Sequence, residues 1–253
     1  MLIYNPLEQF TVNSLFGIYY YSSTNWLFDF SITNYSLTVA LLIFFIITLI
    51  NVFGINYQIN SFFQNFIISL LNMSYQFIKD QIGSIANTLF PLMSTYLFII
   101  FFANLVGMIP YGITLTAQLV ITFFLGLTLF ISLNIAAVVI HKHEFFNLFF
   151  PSGSPIALAP LIVPLEIISY FFRVISLSVR LFANMMAGHT LLKVFGGFGW
   201  SMINSSGSVI LGVIPVVLVI TILIGLEFAV ACIQAYVFMT LSSMYFHDAF
   251  LLH

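Results

Sequence analysis

The sequence predicts an all-α integral membrane protein, and three observations carry that prediction. Of 253 residues, 62% are apolar or aromatic (AVILMFWYC) and only 5% are charged, against about 25% charged in an ordinary soluble domain. The mean hydropathy is +1.15. The apolar residues also come in long unbroken runs. Lipid offers no partner to backbone N–H and C=O groups, so runs of this kind satisfy their backbone internally, as helices. No polar stretch is extended enough to fold outside the bilayer. The chain therefore reads as one membrane domain, residues 1–253.

Residues 1–34 form an N-terminal segment. Its start, MLIYNPLEQF, lacks both the positive n-region of a secretory signal and the Arg-rich pattern of a transit peptide. A span needs ~20 apolar residues. Tyr35 to Phe53 supplies the first transmembrane helix, closed by Gly54. Asn60 to Ile82 mixes Gln64, Asn65, Asn72, Gln76, Lys79 and Asp80 with aromatic and aliphatic residues. It is too polar to span and reads as an amphipathic helix lying in the interface. Thr88 to Ile109 ends at the turn signal Pro110-Tyr111-Gly112. Ile113 to Ile140 ends at the polar His141-Lys142-His143-Glu144. Together they make a transmembrane hairpin over residues 88–140. Pro151 to Pro164 is loop and helix start, where proline is tolerated.

The last two segments, Leu165 to Phe195 and Ser208 to His247, fall within residues 160–248. Each is about 30 to 40 residues, or roughly 45 to 60 Å if helical, against a hydrocarbon core of about 30 Å. Either each breaks into two spans or both run strongly tilted. Pro215 is the only proline in the second, near its start, so an unbroken tilted helix is compatible with the sequence. Gly196-Gly197-Phe198-Gly199 is expected to join the two as a hairpin loop.

Charge and cysteine usage exclude several function classes. The net charge is −2, with no basic patch for nucleic acid. A single cysteine, Cys232, excludes internal disulfides and a Cys-based metal cluster. No phosphate-binding glycine loop, nucleophile motif or haem ligand pair is present, so neither a cofactor nor a resident metal is expected. His141, His143 and Glu144 are read as a polar turn, and Met185-Met186 as packing. Lys79 and Lys142 fall on one side of the membrane, while the N-terminal side carries Glu8 and Asp29. The positive-inside tendency then places the N-terminus in the outer compartment.

The polar groups of the two long segments are not scattered. Glu166, Arg173 and Arg180 are seven apart, a spacing that nearly superposes side chains on one helical face. Asn184 extends that stripe. His189, nine residues beyond Arg180, lies about half a turn out of phase. In the second segment Glu227, Gln234 and Tyr245 share a face, with Asp248 close to it. Ionisable groups at membrane depth are costly and default to function. Bland alternatives stand beside that reading. Glu166 and Arg173 can form a structural ion pair, Arg173 can snorkel to the interface, and Asn184 and Gln234 can bond neighbouring helices. His189 beside Glu227 is a candidate proton relay, since both types exchange protons near neutral pH when desolvated. Arg180 keeps its charge at any physiological pH, which suits an electrostatic gate and not a proton carrier.

SLSVRLFANMMAGH, Ser176 to His189, and LEFAVACIQAYVFMTLSSMYFHDA, Leu226 to Ala249, resemble subunit a of the F-type ATP synthase in its fungal mitochondrial form. FFANLVGMIPY, PLEIISYFFRVISL and the N-terminal NPLEQF are similar to that family as well, so the likeness covers nearly the whole chain. The resemblance implies two long, near-horizontal helices forming a hairpin against a rotating ring of c subunits. It implies that Arg180 faces the ring carboxylates with Gln234 opposite it. By the same likeness His189, Glu227 and Asp248, with Asn184, belong to a half-channel on the intermembrane-space side, and Glu166 with Arg173 to a matrix-side exit. Bacterial relatives commonly carry Glu at the place of His189 and His at that of Glu227, an exchange that fits a shared site. The implied role is non-catalytic: coupling proton flow to ring rotation and ATP synthesis. Implied partners are the c ring, peripheral-stalk subunits including subunit b, and a second complex in a dimer. The implied location is the mitochondrial inner membrane, with mitochondrial encoding and both termini in the intermembrane space. A stand-alone channel or transporter predicts internal repeats, and none is found. A structural subunit of a respiratory complex has no need of Arg180 and Gln234 together.

Overall fold

The computed structural model describes residues 6–17, 19–21, 27–29, 31–55, 62–83, 86–109, 112–142, 159–205 and 209–250. Six helices dominate: α1 (Asn34–Ile55), α2 (Phe62–Ile82), α3 (Ala86–Gly107), α4 (Leu119–His141), α5 (Ala159–Ser205) and α6 (Val209–Phe250). By length and composition α3, α4, α5 and α6 are each able to cross a membrane, and α1 carries a shorter apolar stretch over Asn34–Thr48. The all-α expectation and the order of elements hold. α5 and α6 have 47 and 42 residues, or about 70 and 63 Å at 1.5 Å per residue. Neither fits upright over its whole length within a hydrocarbon core of about 30 Å.

The sequence-based hairpin loop at Gly196-Gly197-Phe198-Gly199 is wrong. α5 runs through it to Ser205, and α6 begins at Val209. None of these glycines has the positive φ of a turn; among the described glycines only Gly83 does. Helix propensity penalises each glycine by about 1 kcal/mol. In an apolar medium the alternative, unsatisfied backbone groups, costs several kcal/mol each, so the helix persists. Gly199 has a packing reason: a Cβ there would lie 3.1 Å from Val216 Cγ1 of α6. Small residues permit this kind of close helix approach. Pro164 likewise lies inside α5 and not ahead of it, one turn past Pro160. The span expected from Ile113 starts instead at Leu119, after a 3-10 turn at Leu115–Ala117.

The N-terminal segment, for which the sequence reading named no element, holds four short strands: β1 (Ser14–Phe16), β2 (Tyr19–Tyr21), β3 (Leu27–Asp29) and β4 (Ile32–Thr33). β2 pairs antiparallel with β3, Tyr20 opposite Phe28, and β1 pairs with β4, Ser14 opposite Thr33. α1 opens on a reciprocal cap. Ser36 N–H donates to Thr33 Oγ1 at 3.2 Å and Thr33 N–H to Ser36 Oγ at 3.0 Å, a capping-box arrangement.

The chain forms two compact units. The first joins Met1–Gln58, Phe101–Gln118 and Ala183–Cys232; the second joins Ile59–Ile100, Leu119–Phe182 and Ile233–His253. In the first, the later part of α5 runs antiparallel to the early part of α6. Its buried apolar cluster is Ala117, Met185 and Ala231, with Phe10 and Met108 against it. In the second, Tyr96 bonds Thr128 at 3.0 Å and Tyr170 donates to Asn134 Oδ1 at 2.7 Å. Ser242 meets Met93 Sδ at 3.3 Å, and Ser243 bonds Gln81. Several expected features lie outside the described residues: the Pro110-Tyr111 turn, His143, Glu144, Pro151 to Leu158, and the side chain of Asp248.

Candidate functional site

α5 is a continuous helix whose polar residues recur at turn-related spacings, so its charges are fixed in phase by backbone geometry alone. In the first unit the helix brings His189 against α6. His189 Nε2 lies 3.2 Å from Glu227 Oε1. The carboxylate is 5% exposed. Neither atom is hydrogen-bonded to another described residue, so each keeps capacity to exchange a proton with a third group. The approach depends on Gly188, the residue before His189. A Cβ there would lie 2.9 Å from Glu227 Oε1 and 3.2 Å from its Cδ. A side chain at 188 would displace the carboxylate.

One turn away, Met185 of α5 and Ala231 of α6 are both buried in the apolar cluster. Asn104 of α3, itself 1% exposed, donates from Nδ2 to the Ala231 carbonyl at 3.3 Å and accepts from Thr116 Oγ1 at 2.8 Å. The cluster is closed by a polar knot. Gln118 Nε2 donates to the Phe10 carbonyl and to Tyr35 Oη, both at 2.8 Å. Tyr35 O–H in turn donates to the Phe10 carbonyl at 3.3 Å.

In the second unit, Arg173 lies between the rings of Tyr170 and Tyr245, 5.8 and 5.3 Å from their centroids. Its guanidinium is 4.0 Å from Glu166. That is the outer limit of an ion pair, and both side chains are only partly covered, 28% and 33% exposed. The structural ion pair of Glu166 and Arg173 is thus present at its longest limit. Arg180 is exposed on α5 and makes no hydrogen bond or ion pair with another described residue. Gln234 is buried on α6 at 8% exposure and forms no hydrogen bond with Arg180. Asn184 is half-buried.

Geometry therefore unites His189 with Glu227, and Arg173 with Glu166 and Tyr245. It leaves Arg180 without a described partner. Sequence reasoning missed Gly188, Asn104, Thr116 and Lys193. Lys193 stands one turn beyond His189, half-buried. Gly188 and Asn104 both lie in the stretches that carry the family likeness, but neither titrates, so a search for charges passes over them.

The family model described as ATP synthase A chain matches residues 33–247. Three relatives named ATP synthase subunit a align over almost their full length. That of Pylaiella littoralis is 43% identical, covering 98% of this chain and 99% of the relative. That of Chondrus crispus is 38% identical, covering 100% and 98%. That of the fungus Mycosarcoma maydis is 38% identical, covering 100% and 99%.

Proposed function

Because the chain belongs to the ATP synthase A chain family, we propose that its two long helices form two offset half-channels, separated by Arg180, that load and unload protons on the ring carboxylates. The chain is the proton-translocating, non-catalytic subunit of the ATP synthase membrane sector. It is a multi-pass protein of the mitochondrial inner membrane, and it associates with the rest of the membrane sector, including the c ring.

A proton enters from the intermembrane space past Asp248, Glu227 and His189, with Asn184 beside them. It is handed to a ring carboxylate, which becomes neutral. A neutral site crosses lipid where a charged one would cost several kcal/mol or more. After nearly a full turn the site reaches the side of Glu166 and Arg173 and releases the proton toward the matrix. Arg180 holds the ionised site between the two and, with Gln234, blocks a direct leak. Each proton crossing 100 mV supplies about 2.3 kcal/mol. Both termini then face the intermembrane space, residues 1–253 act as one membrane domain, and subunit b and a second complex complete the assembly. The gene is mitochondrial.

The observation that carries this reading is Arg180. It is a permanent cation on a membrane helix, exposed and without a partner among the described residues. An uncompensated charge at depth requires a counter-charge, and a ring carboxylate supplies one that comes and goes. The test is Arg180→Ala in the assembled complex. Coupled ATP synthesis is expected to vanish while passive proton conduction through the membrane sector persists. Unchanged ATP-driven proton pumping in that variant refutes the gate.

A further inference from the structure

We propose that Asn104 and Thr116 are positioning residues that set the rotational register of α6, and through it the contact between His189 and Glu227. The inference rests on the proton-path reading of that pair. Asn104 grips α6 by its backbone: Nδ2 donates to the Ala231 carbonyl at 3.3 Å. Ala231 is one helical turn beyond Glu227, so the gripped face is the face that carries the carboxylate. Across the antiparallel pair, Met185 is one turn before His189, and Met185 and Ala231 pack in the same cluster. The Asn104 bond is therefore one turn removed from the acid–base contact, on the helix that delivers the acid.

Thr116 decides which way the amide points. Its hydroxyl donates to Asn104 Oδ1 at 2.8 Å, and a hydroxyl with Oδ1 as its acceptor leaves the Nδ2 end for α6. Both side chains are 1% exposed, so water does not readily replace a lost partner. Glu227 has little other restraint of its own: Gly188 gives it room on one side, and Oε1 has no hydrogen bond to a described residue. Placement of the carboxylate then falls to the backbone of α6. A Leu or Val in place of this pair would fill the same volume, yet it would leave α6 free to turn by a few degrees about its axis.

The test uses the intact ATP synthase in inner-membrane vesicles, with Thr116→Val, Thr116→Ser, Asn104→Leu and, as a control on the reading beneath, Glu227→Gln. Thr116→Val keeps the shape and removes the donor. It is expected to lower proton-driven ATP synthesis per assembled complex about threefold to tenfold, the span of one buried hydrogen bond. It is also expected to raise the solvent deuterium isotope effect on passive proton conduction, a quantity that a mere loss of complex does not move. Thr116→Ser restores both. Adding Thr116→Val to Asn104→Leu causes no further loss, since the amide it orients is gone. Native rate and isotope effect in Thr116→Val overturn the proposal, as does a fall in rate proportional to assembled complex with the isotope effect unchanged. If Glu227→Gln keeps full coupled synthesis, the proton-path reading fails, whatever Thr116→Val shows.

Discussion

Gly188→Ala separates packing from coupling. The new Cβ would lie 2.9 Å from Glu227 Oε1, 3.2 Å from Cδ and 3.4 Å from Cγ, so the carboxylate must retreat. Two stability terms oppose each other. Alanine gains about 1 kcal/mol of helix propensity over glycine, while overpacking costs about 1–3 kcal/mol. The net effect on stability is small, and the complex is expected to assemble. The functional term has no such offset. His189 and Glu227 stand 3.2 Å apart, already at the far end of the ~2.6–3.2 Å range for direct proton transfer. A carboxylate pushed off its position falls outside that range. The expected loss is roughly tenfold in proton-driven ATP synthesis per complex, or about 1.4 kcal/mol in barrier. The assay compares synthesis at fixed proton-motive force with ATP hydrolysis and with the amount of assembled complex. Glu227→Asp, one methylene shorter, should recover part of the rate in the Gly188→Ala background. A native rate for Gly188→Ala refutes the packing argument. So does a loss that merely follows the amount of complex.

Two further predictions concern the scaffold. In Gly126→Ala a Cβ would meet Ser178 Oγ at 2.5 Å and Val174 Cγ1 at 3.5 Å. Overpacking of about 1–3 kcal/mol, less about 1 kcal/mol of helix propensity, should lower thermal stability by up to about 2 kcal/mol. Gly126→Ala with Ser178→Ala should recover most of it in a thermal-shift measurement. Gln118→Leu removes the donor that holds both the Phe10 carbonyl and Tyr35 Oη. The Phe10 carbonyl then keeps only its 3.3 Å bond from Tyr35, whose Oη loses a donor, at a cost of about 1 kcal/mol. Amide hydrogen exchange at residues 6–17 should accelerate while α4 remains protected.

Much of the fold was legible because lipid simplifies the rules. α3 and α4 announce themselves by apolar length, and α5 and α6 by being too long for the bilayer. The same medium defeats the soluble-protein reading of glycine, since Gly196 to Gly199 continue a helix that water would tend to break. The strands of the N-terminal segment escaped because each has only two or three residues, too few for a period to register. At the site, charge spacing located Glu166, Arg173, Arg180, His189 and Glu227 but passed over Lys193, and the contact of His189 with Glu227 was anticipated from their chemistry. Gly188, Asn104 and Thr116 were not found, because their roles are spatial. One is an absent side chain; the other two bond each other, and Asn104 reaches on to the Ala231 carbonyl, 127 residues away in sequence.

An unbroken α5 is also a ruler. Each residue advances the chain by about 1.5 Å and turns it by about 100°. Between Arg180 and His189 the helix has no loop in which an extra residue can be hidden. A single insertion there would swing every downstream side chain about a quarter of the way around the cylinder, pulling His189 and Gly188 off Glu227 together. Substitutions along this stretch cost what their own contacts cost; a change of count costs all of them at once. Length variation among such chains is therefore expected to collect before Ala159, in the short connection after Ser205, or beyond Phe250, and the interval from Glu166 to His189 should align without gaps.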